Sequence, residues 1–109
     1  MTIFEFARKM ERDLIIQGGK SCCKSDGGID PEIRFVCYFE DRGMKQNTVF
    51  WDDNSKDWKN LPMGRGKTLD AAVRNYIKNL QRKRIGFVNR YAKIEAFDVP
   101  HDLTPGSYS

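Results

Sequence analysis

Thr68-Leu69-Asp70-Ala71-Ala72-Val73-Arg74-Asn75-Tyr76-Ile77-Lys78-Asn79-Leu80-Gln81-Arg82 is the stretch that decides the fold class. Leu69, Ala72, Val73, Tyr76, Ile77 and Leu80 recur at helical spacing and form one broad apolar stripe. Thr68 suits the N-cap, where a hydroxyl accepts a backbone N–H, and Asp70 suits the positive end of the helix dipole. Arg74, Lys78 and Arg82 follow at steps of four, making a basic ridge on the polar face. Gly86 marks the stop.

Upstream of this helix the pattern switches to period two. Ile33, Phe35, Cys37 and Phe39 point one way, while Glu32, Arg34, Val36, Tyr38 and Glu40 point the other. Asp41-Arg42-Gly43 is a turn signal, which makes Met44–Trp51 the returning strand of a hairpin. The polar run Asp52–Asp57 marks the next turn and Trp58–Leu61 a short third strand, which Pro62 ends or confines to an edge. Residues 2–17 read as an amphipathic helix. Thr2 and Glu5 have capping-box spacing; Ile3, Phe6, Ala7, Met10 and Leu14 share one face; Glu5, Arg8, Lys9, Glu11 and Arg12 take the other. Gly18-Gly19 supplies the stop, and residues 18–31 are expected to be a loop.

Beyond Gly86, Phe87-Val88 and Ile94–Val99 add one or two short strands or form a packed extended tail, and both readings stay open. Residues 100–109 read as a flexible tail. The expectation is an α+β, two-layer domain over residues 1–109: an antiparallel three- to four-stranded sheet with both helices packed on one face, ordered αβββα with a β-like tail.

A chain of 109 residues fits one domain and is too short for a (β/α)₈ barrel or a two-lobed dinucleotide fold. No apolar run approaches the ~20 residues that span a bilayer, and the N-terminus lacks a signal-peptide core. Three cysteines, two of them the adjacent Cys22-Cys23, make a poor disulfide framework, so a cytoplasmic location is expected. The net charge of +4 is unevenly placed: Lys59–Lys93 holds ten basic residues against one acid, a net +9 that leaves −5 for the remainder. Such segregation points to an acidic partner, and equally describes a solvated basic helix face.

Gly64-Arg65-Gly66-Lys67-Thr68 before a helix invites comparison with a phosphate-binding P-loop. That motif requires glycine at position 61, where this chain has Leu61, so nucleotide hydrolysis is not expected. Two glycines, two cations and a helix start can still receive one anion; the plainer reading is a flexible loop plus an N-cap. No metal site is expected: His101 is the sole histidine, Cys22-Cys23 lack ligand spacing, and Cys37 alternates onto the core face. Neither thiol nucleophile nor cofactor site is marked by any motif. Glu40-Asp41 and Asp52-Asp53 are acidic pairs at hairpin ends, where turn chemistry explains them more simply than catalysis. Tyr38 and Trp51, with Arg34, Lys45 and Val49, fall opposite the core face and make a candidate stacking or interface surface.

The αβββα order with Gly64-Arg65-Gly66-Lys67-Thr68 and Ala71-Ala72 resembles a double-stranded-RNA-binding domain. That resemblance implies phosphate contacts at the start of the second helix; Asp70 and the Asp41-Arg42-Gly43 turn depart from the family's pattern. Gly64–Ile77 also resembles a stretch found in small phage-encoded accessory proteins, and more faintly the helix start of HicB-type antitoxins. These resemblances imply a single-domain accessory protein, one known use of which is inhibition of a CRISPR-type host defence complex. The sequence therefore predicts a non-enzymatic binding protein that contacts a protein or nucleoprotein complex, in the host cytosol if phage-encoded. Arg34, Tyr38, Trp51, Arg74, Lys78 and Arg82 are its candidate contacts. Direct nucleic-acid binding through Arg65, Lys67, Arg74, Lys78 and Arg82 is the alternative. Oligomeric state is open, with a homodimer by strand addition one outcome.

Overall fold

The computed structural model describes residues 1–18, 34–40, 48–89 and 91–106 in full and the backbone of 22–23, 29–30 and 47. The first helix, α1 (Ile3–Lys9), starts where its cap is written. Thr2 Oγ1 accepts the Glu5 N–H at 3.1 Å and Glu5 Oε1 accepts the Thr2 N–H at 3.0 Å, which satisfies two orphan donors reciprocally. Ile3, Phe6, Ala7 and Met10 are buried as the spacing implies.

The helix ends sooner than residue 17, which corrects the sequence expectation. Glu11 turns into the left-handed region at φ 58, and Asp13–Gly18 leaves as strand β1. Leu14 fits both a helical and an alternating pattern, and β-branched Ile15-Ile16 favours extended chain once a partner strand lies alongside. Arg12, expected on the solvated helix face, is instead buried, its side chain 7% exposed. Its guanidinium lies 4.6 Å from the Phe87 ring centroid, pairs with Glu95 at 2.7 Å and donates to the Met10 carbonyl at 2.9 Å. A buried cation is tolerable only with such a set of partners.

The other elements are β2 (Cys22–Cys23), β3 (Ile29–Asp30), β4 (Phe35–Glu40), β5 (Asn47–Asp52), β6 (Asp57–Asn60), β7 (Gly64–Gly66), α2 (Leu69–Leu80), β8 (Arg84–Val88) and β9 (Ile94–Asp98). The chain is α+β, and its strands form antiparallel three- and four-stranded sheets ordered β1-β4-β7 and β6-β5-β8-β9. A further two-stranded pair, β2-β3, lies within the expected 18–31 loop, most of which falls outside the described residues. One apolar core, joining α1 and α2 with Cys37 and Phe39 of β4 and Ile85 and Phe87 of β8, is shared by both larger sheets.

Two expectations change with this topology. Strands β4 and β5 do not pair: β4 lies between β1 and β7, and β5 between β6 and β8, so the hairpin expected across Asp41-Arg42-Gly43 is absent. The turn residues themselves lie outside the described set. The segment after α2 forms two full strands, and residues 100–106, expected within a flexible tail, return to the N-terminus. Leu103 is buried, Thr104 bridges Thr2, and the Thr104 carbonyl accepts the Ile3 N–H at 2.8 Å.

Helix α2 begins as expected, with Thr68 Oγ1 accepting the Ala71 N–H at 3.1 Å, but it stops at Leu80 rather than at Gly86, which lies inside β8 paired with Val49 and Ala96. It lies directly on β7, and this contact explains the two glycines. A Cβ on Gly64 would collide with the Ala72 carbonyl and stand 2.5 Å from Tyr76 Cβ; one on Gly66 would stand 2.7 Å from the Ala71 Cβ. Tyr76, 1% exposed, packs edge-on against Phe39 with centroids 5.2 Å apart, and its hydroxyl accepts the Phe39 N–H at 3.2 Å. That N–H lies beyond Cys37, the last β4 residue paired with β7. Burial pushes the Tyr76 hydroxyl pKa up, so it stays neutral and able to hydrogen bond across the working pH range.

Gly64→Ala is expected to destabilise by roughly 1–3 kcal/mol through overpacking against helix backbone. Tyr76→Phe is expected to cost about 1–3 kcal/mol by orphaning the buried Phe39 N–H. Urea unfolding checks both; midpoints equal to the parent's would show that β7 and α2 do not meet this closely.

Candidate functional site

The described surface offers three faces with distinct chemistry. On α2, Arg74 and Lys78 are exposed at helical step four, separated from Lys67 by the acidic Asp70. Arg82 follows the helix, exposed, at φ 59. Arg74 Nε lies 2.7 Å from Asp70 Oδ2, so the ridge starts with an internal ion pair before its cations Lys78 and Arg82. Both partners are more than half exposed, and the pair contributes little to stability. Asn75 and Asn79 on the same helix donate to the Arg65 carbonyl at 2.6 Å and the Pro62 carbonyl at 3.2 Å, which ties α2 to the segment before it.

Arg65 does not join this ridge. Gly64 and Gly66 face α2, so alternation turns Arg65 to the opposite side of its sheet, next to Val36 with which it is in register. Gly64-Arg65-Gly66 is therefore a strand packed beneath a helix, not the flexible loop of the sequence reading. Its glycines serve close packing. The outer face of this sheet gathers Arg34, Val36, Tyr38 and Arg65, and the Arg34 N–H is held by the Gly66 carbonyl at 3.1 Å. Tyr38 is half-buried there, its hydroxyl pKa raised by desolvation and by the Glu40 charge.

Trp51 lies elsewhere, which corrects the joint surface expected with Tyr38. It belongs to the four-stranded sheet and pairs in register with Trp58, ring centroids 5.4 Å apart at 70°. Alternation puts both on the face opposite Phe50, Ile85 and Phe87, together with Val49. Sequence reading placed Trp58 in a third strand and assigned it no role. The signal was present: two tryptophans symmetric about the Asp52–Asp57 turn must be cross-strand neighbours once that hairpin closes.

Of the acidic pairs, Asp52 is engaged in turn chemistry. Asp52 Oδ2 pairs with Lys59 Nζ at 2.8 Å, and its Oδ1 accepts the Asn54 N–H at 3.0 Å. The Lys59 hydrogen bond, then the Asn54 N–H, lowers the Asp52 pKa to about 2. Glu40 lies on the other sheet, and Asp41 is outside the described residues. Burial pushes the Cys37 thiol to about 12, an unreactive state. His101 is exposed in a turn near the C-terminus; the Cys22 and Cys23 side chains are outside the described set. Among the described residues, no three His, Cys, Asp or Glu side chains converge. None of the described helices is long and apolar enough to cross a membrane.

Compared with known proteins, the chain matches no family model, no curated protein and no solved structure.

Asp52 is expected to titrate near 2 rather than at an ordinary carboxylate value, and Lys59→Met to move it upward. Because the folded pKa is depressed, its stabilising contribution is complete above about pH 4 and lost as pH falls through about 2. Carboxyl NMR titration of both proteins checks this, and an Asp52 midpoint near 4 in the parent would mean that the Lys59 pair does not form in solution.

Proposed function

We propose that the protein is a non-enzymatic binding protein whose α2 face docks on an acidic surface of a protein or nucleoprotein partner. The observation that carries this reading is the layout of α2: Arg74 and Lys78 exposed at helical step four on one face, with the exposed Arg82 just past the helix end. Within α2 the face from Asp70 to Lys78 spans about 12 Å by helical rise, a little over two turns. Asp70 sits in the first turn of this face, ion-paired with Arg74. A carboxylate there repels phosphate but is ordinary in a protein interface, where it sets register. That favours a protein-borne surface over bare duplex. Arg65, on the far side of its sheet, is not part of this contact, and Lys67 flanks it.

A cytosolic setting, and a partner such as a host nucleoprotein or defence complex met by a phage-encoded inhibitor, fit the same reading. They extend the sequence resemblances. Direct phosphate binding by the same ridge is the competing function.

A photo-crosslinking residue introduced at Asn75, with cell extract treated or untreated with nuclease, separates the two. The expected result is a discrete protein adduct that survives nuclease and is lost on Arg74→Glu with Lys78→Glu. An adduct abolished by nuclease, together with duplex binding that falls about tenfold or more per few-fold rise in salt, would replace this reading with nucleic-acid binding.

A further inference from the structure

The outer face of the three-stranded sheet serves neither the core nor the α2 contact, and its charges are sorted by row. Gln17, Val36 and Arg65 lie side by side across the three strands; Ile15 and Tyr38 make the next row, and Asp13 meets Glu40 in the row beyond. On the other side of the Val36 row comes Arg34, whose N–H is held by the Gly66 carbonyl at 3.1 Å. Alternation puts Arg34 on the same face as Val36. Ile15 and Val36 are half-buried and stand outside the core cluster, as residues on this side must. One end of the face is therefore cationic, the middle apolar and aromatic, and the far end acidic.

Arg34 and Arg65 are both exposed, and neither has an acidic side chain within ion-pair distance among the described residues. The register makes them diagonal neighbours on adjacent strands, about 7–8 Å apart at the backbone, so both guanidinium groups reach one phosphate. Tyr38, half-buried, is the diagonal neighbour of Arg65 on the other side. We propose that this face binds a single strand of nucleic acid, with a phosphate between Arg34 and Arg65 and the adjoining base over the Val36–Tyr38 row.

Charge complementarity selects an anion at one end of the face, and shape selects the strand that carries it. A sheet face of three short strands has no element that enters a duplex groove. Unpaired bases, in contrast, lie flat on such a surface and stack. Both cations are arginines, whose planar guanidinium takes phosphate with two hydrogen bonds and also stacks on a base. An acidic peptide satisfies the cations but leaves the apolar rows without a planar partner. Asp13 and Glu40 repel any phosphate that runs past Tyr38, so the footprint is short, about two nucleotides, and the binding weak.

The contact does not use α2, so it stands or falls apart from the crosslinking result at Asn75. Fluorescence anisotropy of the full chain with a labelled deoxythymidine oligomer of about 12 residues is expected to give dissociation on the order of 10–100 μM at about 50 mM salt. The logarithm of the association constant should fall against log salt with a slope of about −1.4, the value for two phosphates of a single strand. Arg34→Gln with Arg65→Gln is expected to weaken binding by about tenfold or more. Lys9→Gln with Lys56→Gln removes the same charge from exposed positions elsewhere and is expected to change it by less than about twofold. In the unaltered protein, amide NMR with the same oligomer should shift Val36, Tyr38 and Arg65 and leave Asn75 in place, a readout that needs no variant. Absence of binding overturns the proposal. So does equal affinity for the matching duplex or for a glutamate oligomer of the same length, an equal loss in the Lys9 and Lys56 variant, or shifts centred on α2.

Discussion

The hydroxyl of Tyr76 is the point on which the two halves of this protein depend. It accepts the Phe39 N–H from the three-stranded sheet at 3.2 Å, and Phe39 so held packs edge-on against Phe87 of the four-stranded one. A buried N–H without a partner costs as much as several apolar contacts return. Placing that oxygen requires α2 to lie close on β7, which in turn excludes any side chain at Gly64. The Gly-Arg-Gly string, the helix register and the sheet junction are therefore one constraint. Phe39 sits at its centre, edge-on to Phe6, Tyr76 and Phe87.

Local chemistry was legible in the sequence and long-range pairing was not. Thr68 and the apolar stripe define the start and body of α2, because cap and periodicity are both local, but not its end, since the helix stops at Leu80 and Gly86 belongs to β8. The alternation from Ile33 to Glu40 likewise places Cys37 and Phe39 in the core and Tyr38 outside it. What the alternation does not hold is the identity of the neighbours. Strand β4 takes β1 and β7, which come from positions 13–18 and 64–66, and leaves the adjacent β5 to another sheet. A hairpin is the cheapest closure in loop entropy. Here the burial of Leu14 and Ile16 opposite Phe39 and Cys37 outweighs it.

The same distinction governs the surface. Most described residues singled out for solvent are outward-facing or only half-buried, Arg12 and Val49 being buried and Lys45 lying outside the described residues, but the grouping differs. Arg34, Tyr38 and Arg65 share one sheet face, Arg74 and Lys78 lie on a helix, and Trp51 sits on a second sheet with Trp58. Spacing along the chain reveals which side of an element a residue occupies; it does not reveal which elements are neighbours. Trp58 was the largest omission. A tryptophan in a short edge strand is easily read as packing, and its half-buried place on the outer face becomes clear only when β8 and β9 are seen to complete the sheet beside it.

Charge counted along the chain also overstates the field that a partner meets. Of the ten cations between Lys59 and Lys93, Lys59, Arg74 and Arg84 are paired with Asp52, Asp70 and Asp98, and Lys83 lies 4.4 Å from the Phe50 ring centroid. Arg12, outside that segment, is wholly structural. It is fixed by Glu95 and the Phe87 ring where the end of α1 meets the last strand. Arg65, Lys78, Arg82 and Lys93 have no acidic side chain within ion-pair distance among the described residues, and of these only Lys78 lies on α2, with Arg82 just past its end. A surface of two or three unneutralised cations steers a partner and orients it. Tight binding then has to come from packing, and for that this protein offers aromatic side chains on a different face.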